Sequence, residues 1–194
     1  MAHGVSECGK LAQTEYKGRH DNVARYIRWQ LCGKCGLERD NSWHEQKREG
    51  VLESENFKIL WDFTVQCERE IEARRPAIVF IDKKERVVII TDLAIPGDDR
   101  MKGKELEKLE KYQLLKDQIA KVWRMQIVIV VPVVIRALGA LSVNFKDYMK
   151  RIGVNVWLEV IQKTALLWTA KIPRKVLSLY EERKERSGTR CHLL

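Results

Sequence analysis

The chain has 194 residues, 45% of them hydrophobic, and a formal net charge of +9 with a pI near 9.4. That length and apolar content suit one domain with a real core. The charge favours an anionic partner, nucleic acid before membrane. The longest apolar run, Ile127 to Ile135, is far too short to span a bilayer. The N-terminus MAHGVSECGK lacks an apolar signal core, so an intracellular chain, nuclear or cytoplasmic, with its five cysteines reduced is expected.

In chain order, residues 11–31 predict a helix with Val23, Ile27 and Leu31 on one face, stopped by Gly33 and Gly36. Arg39 to Asn56 is polar and reads as a connector. Phe57 to Gln66 predicts a first strand. Arg74 to Asp99 predicts two apolar strands around a four-residue loop, Lys83 to Arg86, and the register that follows places Ala77 directly opposite Asp92. IPGDD ends that hairpin.

A long helix is expected over 104–124, with Leu106, Leu109, Tyr112, Ile119 and Trp123 sharing a face and with i,i+4 pairs Glu107–Lys111 and Asp117–Lys121. Gln126 to Arg136 reads as a buried strand, in which Pro132 implies a bulge, a break or an edge position. Helices are expected near 144–151 and 156–170. Residues from Lys171 hold seven Lys or Arg and three Glu and read as a solvated, disordered basic tail. Antiparallel strands followed by a helix crossing to another strand give an α/β fold with a mixed sheet.

The segments KILWDF, IEARRP, VFIDKKE, LAIPGDDR, LEKYQLLK, VVPVVI, ALGA, VNFKDYMKRIGV and VIQKTALL span roughly residues 50–178. Together they resemble the restriction-like (PD-(D/E)xK) endonuclease domain at the C-terminal end of non-LTR retrotransposon reverse transcriptase polyproteins. The resemblance implies a restriction-endonuclease-like mixed sheet with N-terminal and C-terminal helices. It also implies a DNA-cleaving ancestor in which two acids hold magnesium, which activates water and stabilises charge on the phosphate.

Asp92 matches the second acid of that family, whereas Ala77 stands where the first, the Asp of an RPD motif, is expected. Lys111 is the candidate for the missing catalytic lysine, and Asp62 is a third acidic candidate. Against this, Lys108 and Lys111 read more readily as solvated helix charges and Tyr112 as core, while for Asp92 the former metal ligand is preferred to a strand-end carboxylate reaching solvent or an arginine. Arg136, Trp168 and Pro173 depart from the family pattern and read as decay.

His3 and Cys8 match the last pair of the family's C-C-H-C zinc knuckle, as though the chain began inside it. The resemblance thus divides the chain into a knuckle remnant and linker helix over 1–50, a nuclease domain over 51–178 and a basic tail over 179–194. Cys32-x2-Cys35 is an incomplete zinc signature without a second pair at regular spacing, so zinc is not expected.

The expectation is therefore an inactive endonuclease remnant with weak, nonspecific DNA affinity and little or no ancestral magnesium binding. Two other readings stay open. One is an active magnesium-dependent nuclease in which Asp62, Asp82 or Asp98 replaces the lost ligand. The other is a non-catalytic nucleic-acid-binding module, with or without zinc.

Overall fold

A computed structural model describes residues 12–47, 49–68, 70–97 and 101–186. A π-helical turn, Ala12–Tyr16, leads into α1, Lys17–Lys34. Val23, Ile27 and Leu31 are fully buried along one side, as their spacing demands. The helix ends later than expected: Gly33 is inside it, and the stop is Gly36 at φ +62, a left-handed position that suits glycine.

Five strands follow, β1 Val51–Glu53, β2 Phe57–Trp61, β3 Ile78–Asp82, β4 Val87–Ala94 and β5 Ile127–Val134. They form one sheet in the order 1-2-3-4-5, antiparallel except for the parallel pair β4–β5. This is an α/β fold with a mixed five-stranded sheet flanked by N- and C-terminal helices. The β3–β4 loop is Lys83 to Arg86, and the ladder runs from Asp82↔Val87 to Ile78↔Thr91, the anticipated register. Two differences concern β1 and β2. The expected connector contains β1, and β2 ends at Trp61 because Asp62 adopts φ +45.

The crossover between β4 and β5 is two helices rather than one, α2 Met101–Lys111 and α3 Gln113–Val122, broken at Tyr112. Their buried stripe is Glu105, Tyr112, Leu115 and Ile119, whereas Leu106 is 59% exposed. Glu105 takes the inward place because its carboxylate accepts a hydrogen bond from Asn144 at 3.1 Å. Neither expected i,i+4 pair is the one made. Glu107 pairs with Lys104, and Lys121 with Glu68. Leu106→Gln is accordingly expected to change stability by no more than about 0.5 kcal/mol in urea denaturation. A loss above about 2 kcal/mol would return Leu106 to the core.

Pro132 lies inside β5, the edge strand, without breaking it. The N–H groups of Ile127 and Ile135 both donate toward β4, to Arg86 and Ala94. Strand alternation then turns the backbone nitrogen of residue 132 outward, where proline's missing donor costs the ladder nothing. Of the three expected interruptions, the edge position is the one observed.

Helices α4, Phe145–Ile152, and α5, Leu158–Arg186, complete the chain. Helix α5 is much longer than the expected 156–170. It continues through Pro173, so residues 171–186 are helical rather than disordered. Helices α1, α4 and α5 pack on the sheet face that carries Ile59, Phe80, Ile89, Val131 and Val133. Helices α2 and α3 cover the opposite face, with Leu60, Val79, Ile81, Ile90 and Val130. Trp168, half-buried on α5, faces the start of α1. A Cβ on Gly18 would lie 3.0 Å from its ring, and the Lys171 ammonium lies 3.4 Å from its centroid. Arg136 opens a tight turn in which its N–H donates to the Ala140 carbonyl at 2.7 Å. Among the described residues no helix is long and apolar enough to cross a membrane.

Candidate functional site

The end of the sheet away from the β3–β4 loop gathers most of the polar candidates. Alternation along β4 puts Asp92 on the same face as Val88 and Ile90, under α2. Its side chain is only 8% exposed. Lys108, one turn before the break at Tyr112, brings its ammonium to 2.8 Å from Asp92 Oδ2, and the Lys111 ammonium is 3.9 Å from the same oxygen. The contact is an ion pair without hydrogen-bond alignment, since Oδ2 has no aligned donor. Asp92 thus reaches neither solvent nor an arginine. Lys108, expected on the solvated side of a helix, is its principal partner.

Tyr112 closes the site from above. It is buried, and its hydroxyl donates to the Arg75 carbonyl at 3.4 Å. Burial pushes the phenol's pKa upward, and the adjoining Asp92 carboxylate pushes it further the same way. The hydroxyl therefore stays a donor at neutral pH.

Arg75 joins this cluster to Asp62. Its guanidinium takes the Asp62 carboxylate at 2.9 Å and also donates to the Asp62 carbonyl at 2.9 Å. Lys17, at the start of α1, reaches the same carboxylate at 3.4 Å. Because Asp62 N–H donates to the Ala77 carbonyl, Asp62, Ala77 and Asp92 succeed one another across neighbouring strands. Two strand spacings, about 10 Å, separate the two acids. Ala77 itself stands one residue before the β3–β4 ladder, and it packs into the core on the α1 side. The anticipated facing of 77 and 92 is therefore the register continued by one step beyond the paired residues.

The other candidates lie elsewhere. Asp82 is at the opposite end of β3, where it accepts the Glu85 N–H at 2.9 Å and holds the turn. Five residues of strand, about 17 Å, separate that end from Asp92. Asp82 is also on the other face, so it cannot complete an Asp92 site. Asp98, His3 and Cys8 lie outside the described residues. Cys32 is fully buried within α1, and Cys35 follows the helix end. Burial pushes both thiols up, Cys35 to about 11. Among the described residues no three His, Cys, Asp or Glu side chains are grouped to hold a metal.

The residues present do not fit magnesium. Asp92 is the single buried carboxylate here, Ala77 on the neighbouring strand end offers no ligand, and an ammonium already lies 2.8 Å from Oδ2. Four cations (Lys17, Arg75, Lys108 and Lys111) against two carboxylates make the site electropositive, a surface suited to phosphate oxygens. The signal that could have found Arg75 is its adjacency in RRPA to the chain entering β3. Nothing in the sequence reports the left-handed turn at Asp62 that the arginine clamps. The chain matches no model of a known protein family, and no curated protein sequence is significantly similar to it.

Proposed function

We propose that the chain is a degenerate restriction-like endonuclease domain of the non-LTR retrotransposon type, without catalytic activity and with weak, sequence-independent affinity for DNA. The observation that carries the reading is the state of Asp92. A carboxylate at the matched position of the hairpin is neutralised by Lys108 in place of a metal, beside an alanine at the first acid. The mixed sheet with a helical crossover between its parallel strands is compatible with such an ancestor. In this reading Lys17, Arg75 and Lys111 contact phosphates, and Asp92 with Lys108 holds α2 to the sheet end.

A plasmid-nicking assay in Mg²⁺ and Mn²⁺ is expected to give no cleavage above background. Binding of a labelled duplex is expected to weaken roughly tenfold to a hundredfold as salt rises from about 50 to 200 mM, through counterion release. Salt-insensitive binding would remove the electrostatic account. One observation favours a second reading, an active nuclease: Asp62 lies on the same sheet end as Asp92. Metal-dependent nicking that disappears in both Asp62→Asn and Asp92→Asn would establish it in place of the first.

A further inference from the structure

Helices α2 and α3 leave part of their sheet face uncovered. Past Trp123 and Met125, the face over β1 and β2 forms an open groove of about 390 Å³, floored by Leu60 and Ile81. That volume is within the range of sites that hold small organic groups. Phe63, 40% exposed, and Trp123 are the aromatic residues of its lining, with Lys58, Lys83 and Glu53 as its charged ones. We propose that this groove receives an unstacked base of single-stranded DNA, stacked by Phe63 and Trp123, with Lys58 and Lys83 on the adjoining phosphates. The inference rests on the DNA-binding reading and adds the form of DNA preferred.

Three observations lead to this occupant. First, an apolar floor with aromatic residues in its lining accepts any base through its π face, but a duplex base has both faces already stacked. Only an unpaired nucleotide can enter. Second, the charge of the lining is net positive. Lys58 and Lys83 share the exposed Glu53 carboxylate at 2.9 and 2.6 Å, leaving one positive charge in excess. Both lysines are about one-third exposed, and Lys83 also donates to the Ser54 carbonyl at 2.7 Å, so a phosphate is met by Lys58 turning from Glu53 and by Lys83 in place. Third, the groove adjoins the site already described. Phe63 directly follows Asp62, and Leu60 lies on the same sheet face as Asp92, so a backbone leaving the groove meets Arg75 and Lys17.

Fluorescence anisotropy with a short labelled oligothymidylate, and with a duplex of the same length, tests the assignment in EDTA at constant salt. Wild-type protein is expected to bind the single strand more tightly. Phe63→Ala should weaken single-strand binding about tenfold, with duplex binding changed less than about twofold, and Phe63→Trp should retain it. Lys83→Ala should weaken the single strand and flatten its salt dependence. Equal losses for both forms of DNA, or none, in folded Phe63→Ala would overturn the groove assignment while leaving nonspecific DNA binding intact. Failure of the wild-type protein to bind either form would overturn the DNA-binding reading itself.

Discussion

Truncating Lys108 to alanine is expected to lower the unfolding free energy by about 3 kcal/mol, measured by urea denaturation at neutral pH. Asp92 is buried beneath α2, and Lys108 supplies the nearer of its two ammonium contacts. Removing one member of a buried pair leaves an uncompensated charge, which costs about 3–5 kcal/mol. Lys111, at 3.9 Å, remains to offset part of that penalty, which sets the expectation at the lower end. The reciprocal change should be much milder. Asp92→Asn removes the buried charge and leaves Lys108, itself 15% exposed, free to extend toward water, at a cost of about 1 kcal/mol. The double variant should resemble Asp92→Asn alone, because the lysine matters only while the carboxylate is there. Alanine is a strong helix former, so a large loss in Lys108→Ala cannot be assigned to helix propensity. Equal effects of the two single variants would mean that Asp92 is hydrated, and the account of this site as a lysine-neutralised carboxylate would fail.

The second expected result concerns Ala77→Asp. Without divalent ions this variant should be about 3 kcal/mol less stable than wild type. It introduces a carboxylate into a buried position that packs with the α1-side core. Magnesium recovers the loss only if the register continues to residue 77 and turns the new carboxylate to Asp92's face, in which case a ligand at about 100 times its dissociation constant stabilises the folded state by about 2.7 kcal/mol. Adding Lys108→Gln should strengthen the recovery by clearing the ammonium from Asp92 Oδ2, and adding Asp92→Asn should abolish it. Thermal melts with and without Mg²⁺ read all three variants. If Ala77→Asp gains no more from Mg²⁺ than wild type, residues 77 and 92 do not face one another, and the proposed ancestry of the site loses its chemical support.

The hairpin was the most legible part of the chain. Two apolar runs around KKER suggest a four-residue loop, and in the register that follows a slip by a single residue would turn every core side chain outward. Helix α1 was legible for a similar reason, its apolar face being strictly spaced. Strand β1 was not. Three residues between Gly50 and Ser54 are too few to display alternation, and pairing with β2 alone makes them a strand. Leu106 misled because a leucine three residues before Leu109 fits a helical stripe as well as Glu105 does. The choice was made by Asn144, thirty-nine residues away, through its bond to Glu105.

The hairpin reading placed Asp92 on the second strand, as observed, but did not anticipate its partner Lys108. A lysine in a run of alternating lysines and glutamates looks solvated until the crossover helix is laid over the sheet. Residues 171–186 were misread because their composition is that of a soluble tail, whereas α5 carries them on from an anchored segment that ends in the buried Ile172.

The position of Pro132 has a consequence for behaviour at high concentration. Strand β5 reads IVIVVPVV, a segment with the β-branched, uncharged composition that stacks into cross-β fibrils, and it lies at the margin of the sheet. Val130 to Val134 are buried, so this margin is offered to other molecules only when the segments that cover it come away, and an uncovered margin recruits strands. With the outward donor missing at residue 132, a recruited strand would find an unanswered acceptor in the middle of the run and could not zip along its whole length. The proline thus acts as a gatekeeper against polymerisation, placed where the native ladder does not feel it.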